Sequence, residues 1–386
     1  LAHFGSKELK DYFHVMLYEY LPPTDGGIAQ AAWETALEFQ RRGLKTALSG
    51  FKDLFRDPIY KTTKIDLFGL PRKGWKSCKD IYMLLLCFRL LFKYGNKVVF
   101  YSQTWKTART TFFFARLFGW RSVLFAHGNE VTRQIGGKKE RLMKRTFEGA
   151  DFVFANSNYT ASRLNEIGVS SIVNKLGVNI QRYIKADSAV CKERFGWFGK
   201  KIVLTAARVV PRKGQDFVIS TLPQICKHIP DLLYVIAGGG EPEEIKRLQL
   251  LARENNVADK VVFTGYVDEE TKLALYNACD LYVMISKSLN DNKDIEGFGI
   301  TFLEANCCEK VVIGSNAGGI PDAIESGASG FIISPNDNEL FVKYVCTLLE
   351  NDKMRNEMGL SAKMRVQNEF TWEKYVDRLF LEIVDS

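Results

Sequence analysis

The chain has 386 residues, 46% apolar and 25% charged, ordinary proportions for a globular protein with room for two cores. Its net charge of +8 is unevenly spread: residues 1–180 hold 28 Lys and Arg against 15 Asp and Glu, or +13, which leaves 25 against 30, or −5, in the remainder. Cysteines 78, 87, 191, 226, 279, 307, 308 and 346 lack metal-ligand spacing, which argues for free buried thiols in a reducing compartment and against a disulfide framework or a structural metal. Glu8, Asp11 and Glu19 interrupt any apolar run of the kind a signal peptide needs.

In chain order, FHVMLYEY (13–20) reads as a buried strand, followed by a turn from Pro22 to Gly27 and an amphipathic helix over 28–42 closed by Gly43. A second strand covers 44–50. Residues 81–92 (IYMLLLCFRLLF) and 112–118 (FFFARLF) are strongly apolar but too short to span a bilayer. Two helices packed on a sheet explain them. The sharper alternative is a helix at a membrane surface, flanked by Lys76, Lys79, Arg89 and Lys93. Strands at 98–103, 122–128 and 151–157 then alternate with helices near 107–118 and 138–148, the pattern of a parallel sheet covered on both faces.

After a polar join near 177–200 the alternation restarts. Strands fall at 201–209, 232–240, 260–267, 280–286, 310–316 and 330–335, with helices at 214–228, 242–254, 269–277 and 299–308. The expected division is therefore 1–180, 181–370 and a last helix, 371–386, that crosses back to the first domain.

The segment EGFGITFLEA (296–305) holds Glu296 and Glu304 eight positions apart across a glycine turn and a helix start. On a regular helix eight residues rise about 12 Å, too far to share a proton but suited to holding two hydroxyl-bearing groups with a diphosphate between them. The backbone N–H groups of Phe298, Gly299 and Ile300, at the positive end of the helix, would meet the phosphates. Arg208 and Lys213, in ARVVPRKG, follow a strand whose C-terminal end faces the crevice of an open sheet. An arginine fork and a lysine point charge suit phosphate, although either alone would read as a solvated loop cation. Asp25-Gly26-Gly27 follows the first strand, and its glycines allow backbone to approach a ligand. Gly238-Gly239-Gly240 and Gly318-Gly319 are either close-approach sites or plain turns. His127 ends an apolar strand (VLFAHGNE) and is either functional there or satisfied by backbone in a turn, with Glu130 three residues on. No GxGxxG, P-loop or Gly-x-Ser-x-Gly pattern occurs.

Taken together, Gly26-Gly27, His127, Arg208 with Lys213-Gly214, the Glu296…Glu304 pair and Gly318-Gly319 resemble a retaining glycosyltransferase of the GT-B fold, family four, in order over about 300 residues. The resemblance implies two Rossmann-like doubly wound parallel-sheet domains facing a cleft, the first binding acceptor and the second a nucleotide-sugar donor. It implies that Arg208 and Lys213 grip the donor diphosphate, Glu304 binds the ribose, Glu296 contacts the transferred sugar, Gly26-Gly27 approaches the phosphate and His127 lines the sugar site. Two departures stand out: Asn306-Cys307-Cys308-Glu309 replaces the usual Gly and Pro after the helix, and Asp322 stands where Glu is common.

The expectation is an enzyme that passes a sugar, mannose from GDP-mannose as the first choice, to a hydroxyl of a glycan or lipid-linked anionic acceptor in cell-surface polysaccharide or glycolipid assembly. No metal, cofactor or nucleic acid is expected. The place would be cytoplasmic, or peripheral on the inner face of the cytoplasmic membrane, with contact through the basic N-terminal domain. The alternatives are another GT-B enzyme, a phosphorylase or sugar-nucleotide epimerase, and a non-catalytic nucleotide-sugar-binding or nucleic-acid-binding protein.

Overall fold

The computed structural model describes residues 8–23, 26–291 and 293–385, with side chains throughout except those of Glu8, Lys76, Ser77 and Asp385. Asp25 of the first turn lies outside these residues. The chain forms two compact units, one of Leu1–Gly177 with Trp372–Ser386 and the other of Val178–Thr371.

Among its described residues the first unit holds seven strands: β1 (Phe13–Leu17), β2 (Lys45–Phe51), β3 (Asp66–Leu70), β4 (Val98–Ser102), β5 (Arg121–Ala126), β6 (Phe152–Ala155) and β7 (Ile172–Val173). They form one parallel sheet in the order β3-β2-β1-β4-β5-β6-β7. Register sets Val15 of β1 between Ala47 and Phe100. All three are buried, as the near-continuous apolar strands of a two-sided parallel sheet require. β1 ends at Leu17, short of the apolar run, where the Glu19 carbonyl accepts from Phe51 N–H instead. The unexpected β3 is an edge strand whose alternating exposure and internal glycine hide it from a reading for buried strands. Its Gly69 leaves room for Lys52, which a Cβ would meet at 3.0 Å.

The apolar stretches become the helices Trp75–Tyr94 and Trp105–Phe118. Their inner faces, Met83, Leu86, Cys87 and Leu90 from the first and Ala108, Phe112 and Ala115 from the second, join the core of this unit. Among the described residues no helix is long and apolar enough to cross a membrane. The helix Trp372–Asp385 packs on the helix Gly27–Arg41: Phe380 stacks on Phe39 with ring centroids 5.1 Å apart, and Asp377 pairs with Arg42 at 2.9 Å.

The second unit holds β8 (Lys201–Ala206), β9 (Leu232–Ala237), β10 (Val261–Gly265), β11 (Leu281–Met284), β12 (Val311–Ser315) and β13 (Gly330–Ile333), all parallel, in the order β10-β9-β8-β11-β12-β13. Strand order reverses between β8 and β11, the place where open α/β sheets open a crevice at their strand ends. Two helices absent from the sequence reading, Asn338–Glu350 and Asp352–Glu369, follow β13. Val178 and Thr371 form a parallel bridge, so the chain enters and leaves this unit side by side.

Candidate active site

The segments bearing Arg208 and Glu296 leave β8 and β11, the two strands that flank the switch point of the second sheet. Gly214 brings them together. Its φ is +72°, and a Cβ would stand 1.8 Å from the Ile285 carbonyl oxygen, so the turn after β8 presses against the end of β11 only with glycine there. The result is an ion cluster. Glu296 Oε2 accepts from Arg212 Nη1 at 2.6 Å and from Lys213 Nζ at 2.6 Å, and Arg212 Nε stands 3.4 Å from Asp294.

Burial alone would push the Glu296 carboxyl up, but Lys213 and Arg212 outweigh it and hold the group at about 2. Lys213 is lowered, chiefly by burial, which overcomes the pull of Glu296. Arg212 and Arg208 repel it further. Two cations thus share one carboxylate oxygen while a third stands close. Arg208 is exposed, and its guanidinium has no hydrogen bond or ion pair among the described residues. Three cations against Glu296 and Asp294 leave a positive balance suited to an anionic ligand.

Gly299, in the left-handed region at φ +93°, precedes the helix Ile300–Cys307. Glu296 therefore lies outside the helix, and the regular rise assumed for the Glu296–Glu304 separation does not apply across the loop. The Phe298 side chain is buried, with its ring 6.2 Å from that of Phe370. Gly318 has a structural duty: at φ +59° a Cβ would meet the Glu296 carbonyl at 2.2 Å, and Gly319 N–H donates to that carbonyl at 2.9 Å. The glycine pair therefore fixes the backbone that carries Glu296.

Glu304 is buried apart from the cations just described. Tyr183 Oη donates to its Oε1 at 2.8 Å, Tyr276 Oη to its Oε2 at 2.7 Å, and Lys272 Nζ lies 3.7 Å from Oε1. Burial, and then the charge of Glu304, push both phenols upward. The carboxylate is thus oriented by two hydroxyl donors, the kind of group a ribose diol would offer it. Tyr183 and Tyr276 carried no sequence signal, lying 121 and 28 positions away. Arg212 did have one, as the neighbour of Lys213.

In the first unit Gly26 is exposed at φ +144° and caps the helix beginning at Gly27, with nothing within 4 Å of a Cβ at either position. His127 follows β5 and is buried. Its Nε2 pairs with Gln103 Oε1 at 2.8 Å, and burial lowers it to about 4. It is therefore neutral at physiological pH. Its Nδ1 is buried with no hydrogen-bond partner among the described residues. Glu130 accepts from the His127 backbone N–H, and burial pushes its carboxyl up to about 7.

The family model described as Glycosyl transferases group 1 matches residues 192–365, which include this cluster. The GDP-mannose-dependent alpha-(1-6)-phosphatidylinositol monomannoside mannosyltransferase of Mycolicibacterium smegmatis is 30% identical over 264 residues, 67% of this chain and 69% of that protein. Its monoacylated-acceptor counterpart from Corynebacterium glutamicum is 30% identical over 261 residues, 66% of this chain and 67% of the other. Among solved structures, Anabaena HepE in complex with UDP and glucose superposes with a TM-score of 0.79 at 19% identity, covering 97% of this chain and 100% of that one. WaaG, a glycosyltransferase involved in lipopolysaccharide biosynthesis, gives 0.68 at 16% identity, covering 97% and 96%. These structures show the fold. With the relatives at 30% identity, they establish that the chain belongs to the glycosyl transferases group 1 family and is a glycosyltransferase of the GT-B fold.

Proposed function

We propose that the enzyme transfers mannose from GDP-mannose, with retention of configuration, to a hydroxyl of a lipid-linked glycan at the inner face of the cytoplasmic membrane. The observation that carries this reading is the Arg208, Arg212, Lys213 and Glu296 cluster at the switch point, in a chain 30% identical to GDP-mannose-dependent enzymes. In this reading the donor diphosphate takes up the unpaired Arg208 and draws on Lys213, with the N–H groups of residues 298–300 completing its cradle. Glu296, ionised throughout the physiological range, accepts from sugar hydroxyls. Glu304 exchanges a tyrosine hydroxyl for the ribose.

The C–O bond between the anomeric carbon and the phosphate breaks while the acceptor oxygen bonds to the same face. The acceptor proton passes to the departing phosphate oxygen, so no protein nucleophile is required. Prepositioned cations that stabilise the leaving diphosphate supply the main rate term. The +13 charge of residues 1–180 suits a phospholipid-based acceptor at an anionic surface.

The test is a screen of nucleotide sugars for thermal stabilisation, followed by turnover on phosphatidylinositol monomannoside and other lipid-linked acceptors. GDP-mannose is expected to stabilise most and to be consumed with glycolipid formed. Stabilisation and turnover with UDP-sugars alone would replace the donor. Release of nucleotide without a new glycoside would point to another GT-B reaction.

A further inference from the structure

The helix Trp75–Tyr94 buries one face in the core of its unit and leaves the opposite face apolar as well. Ile81, Leu85, Phe88 and Phe92 recur at the spacing i, i+4, i+7 and i+11, one stripe of a helix, and are 57%, 54%, 42% and 89% exposed. The neighbouring helix Trp105–Phe118 adds Phe113 and Leu117, 67% and 65% exposed. The two stripes adjoin. Phe88 meets Phe114 with ring centroids 6.2 Å apart, Phe114 stands against Phe113 at 5.3 Å, and Asp80 ties the helices together through Arg109 and Thr110. Scattered exposed apolar residues are ordinary, whereas six large ones on one contiguous face mark a docking surface.

The charge around this face identifies the occupant. The two helices carry seven Lys and Arg (four and three) against one acid, Asp80, a balance of +6, and Asp80 is already occupied by Arg109. Arg89 follows the first stripe on one flank, beside Lys93, which is paired with Asp66 at 2.7 Å, while Lys106 and Arg116 share the outward side of the second helix, and all four are exposed. Long cationic side chains beside large apolar ones are what an interfacial helix uses, the apolar groups entering the acyl boundary while the cations reach the headgroups. A second copy of this chain would set +6 against +6, which repels.

We propose that the outward face of the helices Trp75–Tyr94 and Trp105–Phe118 is the surface by which this protein docks on a bilayer of anionic phospholipid, with Phe92 and Phe113 as the deepest side chains. This names the surface for the membrane contact assumed under the proposed function, and rests on that reading only for its purpose. Lipid binding is measured without any donor or acceptor.

The full chain would be sedimented with vesicles of phosphatidylcholine alone and of phosphatidylcholine with phosphatidylglycerol. It is expected to bind the anionic vesicles, less so as salt is raised, and the neutral ones weakly. F92E/F113E should lower the partition at least tenfold. R89A/R116A should lower it about twentyfold, since each cation near an anionic surface contributes about fivefold. Phe198→Glu, which changes an equally exposed apolar residue of the other unit, should bind as wild type, and circular dichroism should show all variants folded. The proposal is overturned if wild type binds neither vesicle, if F92E/F113E binds anionic vesicles as wild type does, or if those substitutions instead convert a dimer to a monomer with lipid binding unchanged. Vesicle binding that depends on Phe92 and Phe113, without turnover of any nucleotide sugar, would leave the docking surface standing and sink the mannosyltransferase reading; turnover on a soluble acceptor without vesicle binding would do the reverse.

Discussion

Replacing Arg208 by alanine removes a cation that holds no other side chain among the described residues, so the cost falls on the reaction. The expected outcome for Arg208→Ala is a hundredfold to thousandfold lower kcat, roughly the value of one preorganised charge contact, with an unchanged melting temperature. Arg212→Ala should behave differently. Arg212 neutralises Glu296 together with Lys213, and its loss leaves a buried carboxylate with one cation. Stability should fall by about 2 kcal/mol, read by denaturant unfolding, alongside any loss of rate. Equal melting of the two variants would show that Arg212 is not part of the resting cluster. At the same scale Glu130 makes stability depend on pH. Its folded pKa is raised from 4.5 to about 7 by burial, so the protonated form is favoured in the fold. The advantage is complete below pH 4.5 and is lost as pH rises through 7, because the unfolded chain releases the proton first. Glu130→Gln should remove that dependence. Its stability relative to wild type should rise by about 2 kcal/mol between pH 4.5 and 7.5, less than full linkage because the carboxyl is only partly shielded from water. A constant difference across this range in unfolding titrations would reject the assignment.

The end of the helix Ile300–Cys307 shows how a sequence departure is absorbed by an element. The usual glycine is missing, yet the turn keeps its left-handed residue: Glu309 has φ +58°, its N–H donates to the Asn306 carbonyl, and Lys310 N–H closes on Ala305. Glu309 offsets the backbone strain by ion pairs with Lys185 and Lys363. Glu309→Ala removes the pairs and keeps the strain, while Glu309→Gly removes both. The glycine variant should therefore be more stable than the alanine variant by about 1 kcal/mol, measured by chemical unfolding, and the reverse order would mean that the left-handed conformation carries no net cost at this position. Elements of this kind set the limit of what the sequence disclosed. The central strands were legible because burial on both faces makes them continuous apolar runs, as in KIVLTA before Arg208. β3 and β7 were not, being an alternating edge strand and a two-residue strand. At the site, Lys213 and Glu296 stood out by motif and spacing, but their pairing with each other did not. The choice of Arg212 as Glu296's second partner was not legible, because it depends on a turn pressed against Ile285. The tyrosines on Glu304 were invisible because tertiary packing alone brings them there.

At the scale of the molecule the first and last described residues belong to one unit, and the residues proposed to hold the donor belong to the other. The last helix explains how the first unit is closed. Leu379 is fully buried, Tyr375 offers its carbonyl to Asn174, and Arg378 holds Asn174 and the Lys175 carbonyl. The C-terminal residues thus complete the hydrophobic layer over the helix Gly27–Arg41 and β7. Leu379→Ala opens a cavity there, at a cost of about 2–5 kcal/mol, and this should speed amide exchange in the helix Gly27–Arg41, in β1 and in the last helix. GDP should act elsewhere: bound at the switch point, it should slow exchange at residues 208–214 and 296–304 by mass action on the state that binds it. Hydrogen exchange with mass spectrometry on wild type and variant, each with and without GDP, separates the two effects. The expected pattern is Leu379→Ala deprotecting the first set of segments while GDP protects the second in both proteins. If the substitution abolished GDP protection at 208–214, the donor cluster would depend on the packing of the C-terminal helix, and the account of Arg208, Arg212, Lys213 and Glu296 as a site built within Val178–Thr371 would fail.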